Sequence, residues 1–210
     1  MARIYRINGQ DYISVTTALE IIRKPFLERW RGSVGNDEAD RIRDEAGDFG
    51  SAVHDACQAI DRGSIPNVDE TIYSVVKCYE QWTQARIKEW LKIEDVVFCS
   101  HYWYAGRVDR VAILKGDRNR PTVIDLKTST YISKEMGLQL AAYQHCLEDE
   151  GIKPKRRIIL QLPKDPLLAK IKVHEFPDYV TDFRMFLYAL ELYRHFGGER
   201  RGEDVCIVNV

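Results

Sequence analysis

Cysteine is scarce and scattered in this chain of 210 residues. The five cysteines stand at 57, 78, 99, 146 and 206. Their number is odd and no pair has Cys-x-x-Cys spacing, which argues against a zinc site or a disulfide frame and for reduced thiols. Long apolar runs are also missing. None approaches the roughly 18 residues that a membrane span needs, and the opening MARIYRINGQDY lacks the apolar stretch of a signal peptide. The expectation is a soluble protein of the cytoplasm with no membrane partner. Charge of one sign is lacking too: 31 Lys and Arg face 32 Asp and Glu, for a net charge of -1. Any attraction to nucleic acid must therefore come from local patches. There are no repeats, low-complexity segments or linkers, so the chain reads as one domain, 1–210.

What is there divides into three parts. Residues 1–92 read as a mainly helical part that opens with a β-hairpin. Asn8-Gly9 is a tight-turn pair between β-rich runs, because both positions tolerate positive φ. Ser14 or Thr16 can cap a short helix through Ile22, which Pro25 interrupts. Residues 26–47 read as a charged helix. Arg23, Lys24, Arg29 and Arg31 form either a solvated face or a phosphate-contacting strip. FGSAVHDACQAID (49–61) has the apolar spacing of an amphipathic helix, with His54 off the apolar stripe. On spacing alone His54 is a surface or hydrogen-bonded histidine. A long helix is expected over 68–92, with Trp82 and Trp90 as core.

Residues 93–175 read as a sheet with one helix. Strands are expected at 94–104, 107–115 and 121–127, a helix at 133–149, and strands at 156–162 and 168–175 with a turn between Pro163 and Pro166. The middle of the 133–149 helix is apolar nearly all round, so it should be buried. Residues 176–210 read as a helix over 178–196 and a tail.

The chemistry concentrates in 102–147. Strand side chains alternate, so Asp125 and Lys127 point the same way, about 6–7 Å apart. Their neighbours Val123, Ile124 and Leu126 are apolar on both faces, which marks an interior strand. The preceding strand repeats the anomaly with Asp109. If the two strands pair, the carboxylates can meet at one end of the sheet. Two carboxylates about 4 Å apart repel by about 4 kcal/mol at an effective dielectric of about 20. A shared proton or a divalent cation would offset that. Mg²⁺ suits such a site, with the Leu126 carbonyl as a third ligand. Lys127 would then orient the attacking water and stabilise phosphate charge, or in a neutral form accept a proton. The competing reading is a pair of buried ion bridges. Gln139 and Tyr143 stand one helical turn apart on a single face and need polar partners there. They either hold Lys127 and Asp125 or bind a phosphate.

Four segments together resemble the PD-(D/E)XK nuclease superfamily, in particular its RecB-like exonuclease branch with a Gln-x-x-x-Tyr motif. They are GSAVH (50–54), AGRVDRVAIL (105–114), VIDLKTS (123–129) and LQLAAYQ (138–144), in that order. The stretch VTTALEIIRKPFLERW (15–30) also looks like the leader of phage and mitochondrial genome-maintenance relatives. The resemblance implies an α/β fold with a restriction-endonuclease-like core, a central mixed sheet with helices on both faces. It implies Mg²⁺ or Mn²⁺ held by Asp109, Asp125, Leu126 and His54, with Lys127 as the catalytic lysine. Gln139 and Tyr143 would support the site and the DNA, with Arg107 and Arg110 as further DNA contacts. Arg118, Arg120 and the run KPKRR (153–157) could add phosphate attraction. Val108 stands where the family name has Pro, and Asp125 where many members have Glu. Some relatives carry an iron–sulfur cluster on one early and three late cysteines; only Cys206 is late here, so no iron–sulfur cluster is expected. The expected activity is a metal-dependent deoxyribonuclease, an exonuclease on DNA ends or single strands in repair, recombination or phage DNA processing. A helicase or recombinase is a candidate partner. The rivals are a non-catalytic nucleic-acid-binding module and a structural protein built on ion bridges.

Overall fold

A computed structural model describes residues 2–163, 170–196 and 205–210. Its centre is an eight-stranded mixed sheet. The N-terminal hairpin joins β1 (Ala2–Ile7) to β2 (Gln10–Ser14). Asn8 and Gly9 both have positive φ, 52° and 77°, the twist that a two-residue hairpin turn requires. Helix α1 (Val15–Leu19) is shorter than expected, and Ser14 makes no side-chain cap to it. Pro25 does not merely break the chain. It opens α2 (Pro25–Val34), where its missing N–H costs nothing. Gly35, at φ 89°, separates α2 from α3 (Asn36–Asp61). The amphipathic 49–61 segment is therefore the second half of a longer helix.

Helix α4 (Glu70–Arg86) starts on Asp69, whose carboxylate accepts from the N–H groups of Thr71 and Ile72. It ends six residues before the expected point. Ile87–Cys99 instead forms β3, so Trp90 lies on a strand. The segment IKEWLKIEDVVFC is rich in good helix formers, but it pairs with nearly all of β4 (Tyr104–Leu114). That long ladder overrides local propensity. The strand expected at 94–104 stops at Cys99, and a turn over 100–103 carries Trp103 at φ 53°.

Strand β5 (Pro121–Lys127) pairs antiparallel with β4 and parallel with β6 (Arg156–Gln161). Helix α5 (Glu135–Asp149) makes the crossover. The edge strand β7 (Lys172–Glu175) is shorter than expected. Residues 164–169, with most of the expected turn and the start of that strand, lie outside the described residues. Helix α6 (Tyr179–Phe196) follows. The last strand, β8 (Val205–Asn209), was not anticipated and pairs parallel with β1. The sheet order is β7-β6-β5-β4-β2-β1-β8, with β3 on β4.

Helices cover both faces. On one face, α1, α5 and α6 pack through Val15, Leu140, Leu147, Phe186 and Leu190 onto Val108, Val111, Val123 and Ile159. On the other, α3 and α4 pack through Val53, Cys57, Val75 and Tyr79 onto Ala112, Ile124, Leu126 and Ile158. A side chain such as Leu140, fully buried, contributes about 2–5 kcal/mol against truncation to Ala.

Candidate active site

The site forms where β4 and β5 part. Their ladder runs from Ile113↔Pro121 to Arg110↔Ile124 and stops one residue short of Asp109 and Asp125. Farther along β4, Tyr104 and Ala105 pair with β2. Between these two ladders, residues 106–109 are left facing a slot. The alternation of β4 also slips here. Val108 and Val111, three apart, both join the α5-side core, whereas regular strand alternation puts such residues on opposite faces. The slip swings Asp109 toward β5. Its Oδ2 accepts the N–H of Leu126 at 2.8 Å.

Asp125 and Lys127 come from the end of β5 on the α5 side. Asp125 is 1% exposed. Its Oδ1 accepts from Gln139 Nε2 at 3.1 Å, and Gln139 Nε2 also donates to Tyr143 Oη at 3.1 Å. Its Oδ2 lies 2.7 Å from Lys127 Nζ, an ion pair outside hydrogen-bond alignment. Tyr143 closes the back of the slot. A Cβ on Gly106 would come within 2.5 Å of its ring, so only glycine fits where the β4 backbone passes under the phenol.

His54 enters from α3. Its Nε2 is 3.0 Å from the Leu126 carbonyl. Its Nδ1 is 3.8 Å from Glu94 Oε1 and 3.7 Å from Asp109 Oδ2. Glu94 is the site residue that sequence reasoning missed. It interrupts β3 at φ 52°, between the pairs Ile93↔Arg110 and Asp95↔Val108, and so stands opposite Asp109. Positive φ on a non-glycine residue in a strand is a strained backbone, which recurs at functional sites. The only clue in the sequence was the acidic pair Glu94-Asp95 between Ile93 and Val96.

The electrostatics follow from this crowding. Burial and the Asp125 charge push the Asp109 carboxyl up to about 6. Burial works against the charge on Lys127, but Asp125 and Asp109 outweigh it and hold the ammonium above its ordinary range. Burial also opposes a charged His54; Glu94 and Asp109 reverse that and raise its pKa. For Glu94, burial is outweighed by His54 and Arg110, which hold it low.

Two expected DNA contacts are placed elsewhere. Arg110 is fully buried. Its guanidinium pairs with Asp61 at 2.5 Å and Glu94 at 2.7 Å, and Asp61 also accepts from Tyr79 Oη at 2.6 Å. Arg110 therefore ties α3 and α4 to Glu94 and cannot reach a phosphate. Tyr143 is 3% exposed and acts on Asp125 through Gln139. Arg107 is exposed. The other basic candidates are largely engaged. Arg156 pairs with Asp117 and Glu175, and the buried Arg157 with Asp182. Arg118 and Arg120 occupy the β4–β5 turn, at the end of β5 remote from Asp125 and Lys127. Arg23 and Lys24, just before α2, and Arg31 within it pair with Glu28, Glu135 and Asp40.

The donor set fits a divalent cation. One ligand atom each from His54, Glu94 and Asp109 lie within 4.8 Å of one another. Octahedral bonds of about 2.1 Å space ligand atoms by about 3–4 Å. Two carboxylates and one imidazole suit Mg²⁺ or Mn²⁺. The raised Asp109 carboxyl reflects negative charge that a cation would offset. Asp125 stands behind this set on Lys127, and the Leu126 carbonyl, expected as a ligand, is engaged by His54.

The PD-(D/E)XK nuclease superfamily matches residues 67–195, more than half of the chain. The chain belongs to that superfamily of metal-dependent nucleases, and its mixed sheet is the superfamily's restriction-endonuclease-like core. His54 lies outside the matched span. Among solved structures, the crystal structure of SSO0001 is similar at 15% identity and a TM-score of 0.43, over 89% of this chain and 76% of that one. No curated protein matches. Among the described residues no helix is long and apolar enough to cross a membrane.

Proposed function

We propose that the protein is a divalent-metal-dependent deoxyribonuclease, an exonuclease that works on DNA ends or single strands. The observation that carries this reading is the Lys127 ammonium, 2.7 Å from Asp125 and beside the donor set of His54, Glu94 and Asp109.

A cation held by His54, Glu94 and Asp109 would supply Lewis-acid stabilisation of the phosphate. The protein's own groups do the rest. Lys127 presents positive charge to the scissile phosphate and orients the attacking water. Gln139 fixes the Asp125 carboxylate that positions Lys127. Asp109 braces the end of β5 through the Leu126 N–H. Arg107, exposed on β4, steers the phosphate backbone. The RecB-like motif set and Gln139–Tyr143 support exonucleolytic action, in repair, recombination or phage DNA processing, with a helicase or recombinase as the recruiting partner.

The test uses end-labelled linear and covalently closed circular DNA, single- and double-stranded, with Mg²⁺, Mn²⁺ or chelator. The expected result is metal-dependent loss of linear substrate with circles intact. Lys127→Ala should lower turnover at least about 100-fold with the fold and DNA retention largely kept, although Tm falls because the buried Asp125 loses its ammonium partner. Cleaved circles would replace the exonuclease by an endonuclease. DNA bound but uncut under every metal would favour the non-catalytic module.

A further inference from the structure

A second group of ligating side chains lies on the α5 side of the sheet. Cys99 ends β3 opposite Tyr104. His145 and Asp149 are one turn apart on α5, hence on one face. The Cys99 sulfur, a His145 ring nitrogen and an Asp149 oxygen all lie within 4.8 Å of one another. Cys99 is fully buried, His145 half-buried and Asp149 exposed, so the group opens to solvent only at its carboxylate.

Burial holds the Cys99 thiol above its ordinary range, with the backbone N–H groups of Tyr102 and His101 opposing the rise and Asp149 adding to it, so the sulfur keeps its proton until an ion displaces it. Two further features mark the group as built rather than incidental. The His145 ring is held between Phe183, stacked at 4.1 Å, and Tyr102 at 5.7 Å. A relay then sets its tautomer. Tyr179 Oη donates to Glu148 at 3.3 Å and is 3.1 Å from His145 Nδ1. Nδ1–H is thus the donor, and the Nε2 lone pair is left for an ion. Outer partners of this kind orient metal-ligating histidines.

We propose that Cys99, His145 and Asp149 form a site for a thiophilic divalent cation of the Zn²⁺ class, with a solvent molecule completing a tetrahedron. Thiolate, imidazole and carboxylate together select such an ion over Mg²⁺. A tetrahedral ion spaces its ligands by about 3.3–3.8 Å, a contraction that the exposed Asp149 can supply. Cys99 gives up its thiol proton to solvent as the sulfur–metal bond forms, so one proton is released per ion. The site pins the 100–103 turn to α5, the helix that carries Gln139 and Tyr143. It has nothing of the Cys-x-x-Cys spacing by which zinc sites are read from sequence, and it stands whether or not the protein is a nuclease.

The experiment titrates Co²⁺ into the chelator-treated full chain and follows thiolate-to-cobalt charge-transfer absorption. His54, Glu94 and Asp109 contain no sulfur and cannot produce that band. It should saturate at one equivalent, bleach on adding Zn²⁺, and vanish in Cys99→Ser. His145→Gln and Asp149→Asn should each weaken Co²⁺ at least tenfold, and they keep the test decisive if Cys99→Ser fails to fold. Asp149→Asn should leave Mg²⁺-dependent activity and DNA binding unchanged. Absence of the band in folded protein, its persistence in Cys99→Ser, or unaltered affinity in both other variants would overturn the site.

Discussion

Replacing Gly106 by alanine tests how the back of the slot is built. The added Cβ would lie 2.5 Å from Tyr143 Cε1 and 3.2 Å from its Oη. Carbon atoms pack at about 3.5–4.0 Å, so ring and strand must separate by about 1 Å. Neither moves freely. Tyr143 is 3% exposed among Leu140, Leu147 and Val108, and Gly106 is held in the β3–β4 ladder against Val97. Overpacking of this kind costs about 1–3 kcal/mol, or about 2–12 °C in Tm for a chain of this size. The displacement also passes along Tyr143 Oη and Gln139 to Asp125. A misplacement of about 1 Å near reacting groups costs about 100-fold in rate. The assay pairs thermal melts with kcat at saturating metal and DNA. Adding Tyr143→Leu should recover stability, because the smaller side chain makes room, without recovering kcat. Wild-type Tm and kcat in Gly106→Ala would refute the close contact; recovery of kcat in the double variant would refute the role given to the phenol.

Other outcomes follow from the same geometry. The Asp109 carboxyl is pushed to about 6 against an ordinary 3.8. A carboxyl with a higher pKa folded than unfolded favours folding while protonated and loses that advantage as pH rises from 3.8 through about 6. Ionised Asp109 therefore costs up to about 3 kcal/mol without metal. Asp109→Asn should raise Tm of chelated protein at pH 8, give little change at pH 4, and abolish stabilisation by Mn²⁺; a lowered Tm at pH 8 would count against the crowding. Arg110→Ala strands the buried Asp61 carboxylate and should destabilise by about 3–5 kcal/mol in denaturant melts. Because Arg110 is fully buried, an affinity loss for DNA without a stability loss would contradict its placement. Glu94→Gln removes one ligand charge and should weaken Mn²⁺ at least about tenfold by calorimetry, with an unchanged titration ruling Glu94 out as a ligand.

Much of the site was legible because its signals are local. Asp125 and Lys127 alternate on one run of seven residues, and Gln139 and Tyr143 share a helix face; period alone places such pairs. The hairpin at Asn8-Gly9 was legible for the same reason, since positive φ is a property of those two residues. Local signals failed at Ile87–Leu91, where helix-forming composition lost to a long ladder with β4. They failed again at β8, because a five-residue apolar tail becomes a strand only when β1 offers it an edge.

By itself, the sequence determined which residues stand out: two aspartates and a lysine on interior strands that would not otherwise tolerate them, on a chain long enough to bury them. Only the tertiary structure decided what they meet. Glu94 joins His54 and Asp109 because β3 and β4 pair in one register, and Arg110 turns from a DNA contact into a buried tie because β4 changes face at Asp109. Register and strand slip arise from contacts between segments far apart in the chain, and no window of neighbouring residues contains them.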